Sequence, residues 1–329
     1  QCSISVNTRL GTNTVETTGV AKISNVTVES PVSNLGQYPG AGGFIGRADY
    51  GKNSIYNLSI ASTEGERYIG NNADASNGLN NIGGCIGFII SKNSSYWFDN
   101  CTFSGLRIAA KGKWTGGLVG NFTSDFDISC NAITIDGLTF YGQCAGGLFG
   151  KVDRVINVNV TNSRIASSTF WQASSGCISG ESRGKYHLAN VLLDGNTFNN
   201  KDQQGILIGS VDASKLDGYE LCAAGLSVKL AEGQTNAAMP ALIRASDSGK
   251  IGEVNNKSYV AFGDYNDALT VPDKALYNAD AADSTTVAVA PYVTTSPVSS
   301  LSLKTAADET GQTRYLFGDG VNVNGASTI

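Results

Sequence analysis

Charge is scarce in this chain, and histidine and methionine are almost missing from it. Asp, Glu, Lys and Arg make up 16% of the 329 residues, where soluble domains average about a quarter. Lys and Arg gather into no basic face and the net charge is −5, which argues against a nucleic-acid partner. The single histidine, His187, excludes metal motifs built on a histidine pair, and no metal or cofactor is expected. Any Ser-His-Asp arrangement would depend on that one ring; the expectation is an ordinary outward or cap-facing side chain. No run of 18 apolar residues occurs, so no transmembrane segment is expected. The chain opens on Gln1 and its only methionine is Met239, which reads as a trimmed product, as a removed export signal would leave it.

Glycine replaces the missing charge, with 40 residues, together with many Ser, Thr and Asn. That exchange suits turns and neutral hydrogen-bonding surfaces. The charge is also unevenly placed. Residues 1–230 carry 17 acidic and 17 basic side chains, and residues 231–329 carry 11 and 6. Four of the six prolines (Pro240, Pro272, Pro291, Pro297) fall in that acidic last segment.

One phrase recurs. It is Gly42-Gly43-Phe44-Ile45-Gly46, then Gly83-Gly84-Cys85-Ile86-Gly87, Gly116-Gly117-Leu118-Val119-Gly120 and Gly146-Gly147-Leu148-Phe149-Gly150. Looser versions are Ser175-Gly176-Cys177-Ile178-Ser179-Gly180 and Gly205-Ile206-Leu207-Ile208-Gly209. The last glycines (Gly46, Gly87, Gly120, Gly150, Gly180, Gly209) are 41, 33, 30, 30 and 29 residues apart. Between phrases lie short stretches alternating at period two, as in Ile156-Asn157-Val158-Asn159-Val160-Thr161. Such alternation marks strands with one buried face. Strands this short bury nothing alone, whereas stacked turns bury a continuous core. The reading is all-β: a parallel β-solenoid of about six ~30-residue turns over 41–230. The phrase glycines are assigned to its corners, where positive φ and tight bends favour them. Residues 1–40 are read as N-terminal strands, a first turn or a cap, and residues 231–329 as a β-rich cap, small domain or assembly segment.

The phrases at 116–120 and 146–150 resemble the GLUG motif, a repeat of bacterial surface and secreted proteins. The resemblance covers roughly 190 residues and implies an exported, cell-surface β-repeat. It carries over no catalytic residues.

Cys101 and Cys130 lie 29 residues apart, close to one repeat. Counted back from the next phrase-ending glycine they sit one above the other, close enough for a disulfide; a pair of buried free thiols is the competing expectation. Cys85 and Cys177 read as one motif position three turns apart. Cys2 is the candidate for an intermolecular bond or closure onto the first turn, since seven cysteines leave one over. Among seven Asn-x-Ser/Thr sites, Asn57, Asn93 and Asn159 are the expected outward-facing glycosylation candidates.

No pair of carboxylates is placed for glycoside hydrolysis. Asp99, Asp125, Asp127, Asp136 and Asp153 read as solvated loop groups. The chain is therefore expected not to be an enzyme but an extracellular structural protein, whose partner is itself in a filament or surface layer. The alternative is an adhesin for glycans or host proteins, using aromatics such as Tyr96, Trp97, Trp114, Phe170 and Trp171. A polysaccharide-active β-helix enzyme ranks third.

Overall fold

The computed structural model describes residues 14–15, 21–24, 28–29, 40–48, 51–62, 67–70, 80–90, 94–110, 112–200, 203–211, 220–234, 240–245, 259–262, 284–287, 301–307 and 313–316. Cys2 and Asn93 lie outside them, as does most of the expected N-terminal segment 1–40.

The chain is a parallel β-solenoid. Four parallel sheets run along it, with ten, seven, six and four strands. Four successive turns supply a strand to all four sheets, beginning with the strands Gly40–Gly42, Asn81–Gly83, Trp114–Gly116 and Cys144–Gly146. The glycine spacing read in the sequence is the pairing register. Ile45 pairs with Ile86, Ile86 with Val119, Val119 with Phe149, Phe149 with Ser179, and Ser179 with Ile208. Each of these residues immediately precedes a phrase-ending glycine. The parallel ladder also extends past residue 230, through Ala241–Ala245 and Tyr259–Phe262. Further on, Ser284–Val287, Leu301–Ala307 and Thr313–Leu316 form a separate antiparallel sheet.

One hydrophobic core runs from Ala41 to Val228. Inward residues repeat at the same rung, so like stacks on like. In the six-stranded sheet the rung Ile69, Ile108, Phe140, Phe170, Phe198 follows directly from the register. Its three phenylalanines stack with centroids 5.0 and 5.2 Å apart and planes within 10° of parallel. Such offset stacks add to plain area burial.

The phrase glycines are not where the chain takes positive φ. None of Gly46, Gly87, Gly120, Gly150, Gly180 and Gly209 is in the left-handed region; they sit within strands of the seven-stranded sheet. Their role is close approach. A Cβ on Gly120 would lie 2.5 Å from both Gly87 O and Ile82 N, so the seven- and four-stranded sheets touch backbone to backbone. The second glycine meets the next turn in the same way: a Cβ on Gly117 would lie 2.1 Å from Gly147 O. In the two looser phrases this second position is filled by Cys177 and Ile206, whose backbone pairing aligns Cys177 with Ile206 and Ile178 with Leu207. Cys85, by contrast, aligns with Leu118, so Cys85 and Cys177 occupy different motif positions.

Most positive φ values among the described residues fall in two other columns. The first is Asn57, Asn100, Ala132, Asn162, Asn190 and Gly225, and the second is Gly105, Gly137, Ser167 and Gly195. They lie five residues apart in each turn and bend the ten-stranded sheet into corners. Asparagine tolerates this conformation because its amide bonds locally. Here the amides also bond along the axis. Asn100 Nδ2 donates to Asn57 Oδ1 (2.6 Å), Asn190 Nδ2 donates to Asn162 Oδ1 (2.9 Å), and Asn162 Nδ2 donates to Asn131 Oδ1 (3.0 Å). Each left-handed residue also flips the inside–outside alternation, so Ile128 and Cys130 face inward before Ala132, and Ile133 and Ile135 after it.

Ala132 is the odd member of its column, with a Cβ and no bonding amide at φ 52°. Ala132→Gly should relieve left-handed strain of about 1–2 kcal/mol and lose some of that to added chain entropy. The expected net gain is roughly 0.5–1 kcal/mol, read as a higher urea midpoint by circular dichroism.

Candidate functional site

The expected Cys101–Cys130 disulfide is not formed. Both are free, buried thiols, and they are not on one rung. Cys101 pairs with Ile133, and Cys130 pairs with Phe98. The count from the next glycine slips because the connection 110–113 is two residues longer than the equivalent connection 142–143. Cys101 also lies after the left-handed residue of its turn and Cys130 before that of its own.

Burial pushes the Cys101 thiol up from 9.0 to about 11, opposed by backbone hydrogen bonds at Leu58 and Asp99. Burial also raises Cys85, Cys130 and Cys177 well above the ordinary thiol range, and it raises Cys144 to about 12 with Glu181 beside it. Reactive cysteines need the reverse environment. None of these five thiols should react with a water-soluble disulfide reagent until denaturant is added. The pH dependence has a definite sign. The unfolded thiol ionises near 9 while the folded Cys101 thiol holds its proton to about 11, so the folded state binds more protons between them. Stability is fully present below pH 9 and is lost as pH rises through that window. Thermal melts should fall between pH 9 and 11, and less steeply in Cys101→Ala.

The carboxylates are individually engaged. Asp99 accepts from Asn131 Nδ2 (2.7 Å), and Asp127 accepts from the Asn157 N–H (2.8 Å) and Nδ2 (2.9 Å). Asp125 pairs with Arg154 (3.1 Å), while Asp153 pairs with Lys151 (3.3 Å) and Arg183 (3.1 Å). Among the described residues no three His, Cys, Asp or Glu side chains converge as a metal site would.

The strongest polar cluster lies where the four- and seven-stranded sheets meet. Trp114 Nε1–H donates to Glu181 Oε2 at 3.1 Å, and Lys151 Nζ lies 3.0 Å from Glu181 Oε1. Lys151 and Lys113 lie 4.6 and 5.0 Å from the Trp114 ring centroid. Trp114 is thus packed between cations.

Of the other aromatics offered as an adhesive face, Tyr96 and Phe170 are core residues. Trp97, on the ten-stranded sheet, and Trp171, beside the six-stranded sheet, are 49% and 47% exposed. Trp171 stacks on Tyr141 at 5.7 Å with planes 9° apart, and the Arg107 guanidinium of the preceding turn lies over the Tyr141 ring, 4.3 Å from its centroid. The signal for this outer stack was in the sequence: Thr139-Phe140-Tyr141 and Thr169-Phe170-Trp171 are one repeat apart. Arg107 carries no such signal.

His187 is buried, 3% exposed, not outward-facing, and its Nδ1 lies 3.1 Å from Asn159 Oδ1. Its strand, Lys185–Asp194, is buried on both faces, which its nearly continuous apolar run explains. The residues Gly180-Glu181-Ser182-Arg183-Gly184 spell Gly-x-Ser-x-Gly. Ser182 Oγ is nevertheless buried, 2.6 Å from Tyr186 Oη, and accepts the Gly184 N–H. It is not presented on an exposed strand-to-helix turn as a nucleophile elbow requires.

Asn57 and Asn159 are half-buried. Asn57 belongs to the amide column, and Asn159 bonds Ser129 at 3.4 Å as well as facing His187. No helix among the described residues is long and apolar enough to cross a membrane. No family model, curated protein or solved structure matches the chain.

Proposed function

We propose that this chain is a non-catalytic structural protein of the cell exterior, a rigid solenoid of about six turns that closes on itself or joins a second copy through residues 231–329. The observation that carries this reading is the unbroken parallel ladder over a single core. Such a ladder leaves strand edges that must be capped or paired at its ends. Low charge and abundant Asn, Ser and Thr support the extracellular placement. Membership in the GLUG-motif group belongs to the same proposal and rests on the phrases at 116–120 and 146–150. Negative-stain electron microscopy with light scattering at high concentration tests the assembly. Fibres or concentration-dependent oligomers are expected; monodisperse monomers at all concentrations would remove self-assembly from the reading. Turnover of any polysaccharide in a panel would overturn the non-catalytic assignment.

A second reading, an adhesin for glycans, is favoured by one observation. The ring of Trp171 lies half-exposed at the end of a fixed aromatic stack.

A further inference from the structure

We infer that the open face of Trp171 is a binding site for a neutral saccharide, a site that deepens and rests on the adhesin reading. The outer stack runs along the solenoid axis, and its members occupy successive turns. Tyr141 is contacted by Arg107 from the preceding turn and stacked by Trp171 from the following one. Trp171 has one face covered by Tyr141. The next turn along the axis is the one where Thr169 pairs with Thr197 and Phe170 with Phe198. The register places Asn199 at the next position of the stack, and the Asn199 N–H donates to Phe170 O at 3.2 Å. Asn199 is exposed, and its side chain is too short to cover an indole. The stack therefore ends one ring early.

The slot has a definite chemistry. Its indole is held flat by the ring beneath it, so an occupant gains most by presenting a flat apolar face to the electron-rich ring. The described residues that register and sequence place nearest to it are Thr169, Thr197, Asn199 and Gln172, all neutral donors and acceptors. A pyranose meets both demands: C–H bonds on one face lie on the indole, and its equatorial hydroxyls reach the hydroxyls and amides around the rim. A guanidinium or ammonium ligand would stack equally well, but none of these four residues supplies a carboxylate to receive it. Such a ligand has therefore no carboxylate partner among these described neighbours. The site is also preorganised, because the rung beneath it is anchored by the inner Phe140–Phe170–Phe198 stack on the same strands. Little ordering is then required on binding.

The test uses the whole chain and four neutral probes: cellotetraose, xylotetraose, mannotetraose and chitotetraose. Binding is read by saturation-transfer NMR and tryptophan fluorescence at millimolar sugar. At least one probe should bind wild type, with Trp171→Ala weakening it by about tenfold or more and Trp171→Phe by less. Trp97→Ala, equally exposed on another sheet, should leave affinity within about twofold. Circular dichroism melts verify that each variant is folded. Wild type binding a sugar that Trp171→Ala binds equally well would overturn this site while leaving the adhesin reading standing. Binding of none of the probes, or of an arginine-rich peptide in their place, would overturn the site and the glycan reading together.

Discussion

Gly150→Ala is expected to destabilise the solenoid by at least about 4 kcal/mol, or to prevent folding outright. The added methyl would lie 2.4 Å from Gly120 O, 2.6 Å from Thr115 N and 2.8 Å from Thr115 C. All three obstacles are backbone, so no rotamer change can make room. The four-stranded sheet would have to move away from the seven-stranded sheet at that turn. Gly120 and Gly180 abut the same pair of sheets in the turns on either side, and they resist the movement. Gly46→Ala is the matched control. Its methyl would meet only Gly40 O, at 3.1 Å. Gly40–Gly42 is the terminal strand of the four-stranded sheet, so among the described residues Gly46 has no preceding strand of that sheet to press against. Its cost should stay below about 1 kcal/mol. Urea unfolding followed by far-ultraviolet circular dichroism compares the two. A stacked repeat can also open locally, and labelling of Cys144 and Cys177 would detect that. Equal midpoints for the two variants would refute the close-approach account of the phrase.

That contrast explains why the turn length was legible in the sequence. In the phrases at 83–87, 116–120 and 146–150 all three glycines have an atom less than 3 Å from the missing Cβ, and a steric demand repeated turn after turn leaves a periodic trace. Gly46 shows that the trace marks family membership of a position and not its local need. What was not legible depends on quantities that glycine spacing averages over. The two extra residues in 110–113 lie between strands, where chain length is free to vary, and they moved Cys101 off the rung of Cys130. The left-handed corner at Ala132 leaves no signature in its own residue type. It was readable only as a column, through Asn100, Asn162 and Asn190 above and below it. His187 was misplaced for a third reason. Tyr186, Leu188, Ala189 and Leu192 on its strand are all buried, so both faces of the strand are covered. Half-buried alternation is a property of a strand with solvent on one side, and this strand has none.

Phe170→Ala should cost about 5 kcal/mol, more than any single neighbour in its rung. Removing a buried phenylalanine typically costs about 3–5 kcal/mol through lost transfer and the cavity left behind. Phe170 is fully buried and stacked on both faces, against Phe140 at 5.0 Å and Phe198 at 5.2 Å. Each stacked pair adds roughly 0.5–1.5 kcal/mol, and both are lost together. The cavity cannot collapse easily, because the rungs on either side are held apart by the strand spacing. Phe198 sits at the end of the stack, 9% exposed and with a single stacked partner, so Phe198→Ala should cost about 3 kcal/mol. Phe170→Leu refills most of the volume and should cost under about 2 kcal/mol. The same substitution links the core to the outer face. Trp171 follows Phe170 directly, and its N–H donates to Phe140 O at 3.4 Å. Slackening the inner stack should loosen the Tyr141–Trp171 pair, seen as red-shifted tryptophan emission in folded Phe170→Ala but not in Phe198→Ala. Emission unchanged in both would mean that the outer aromatic stack is held by its own contacts alone, through Arg107 and Tyr141, and owes nothing to the phenylalanines beneath it.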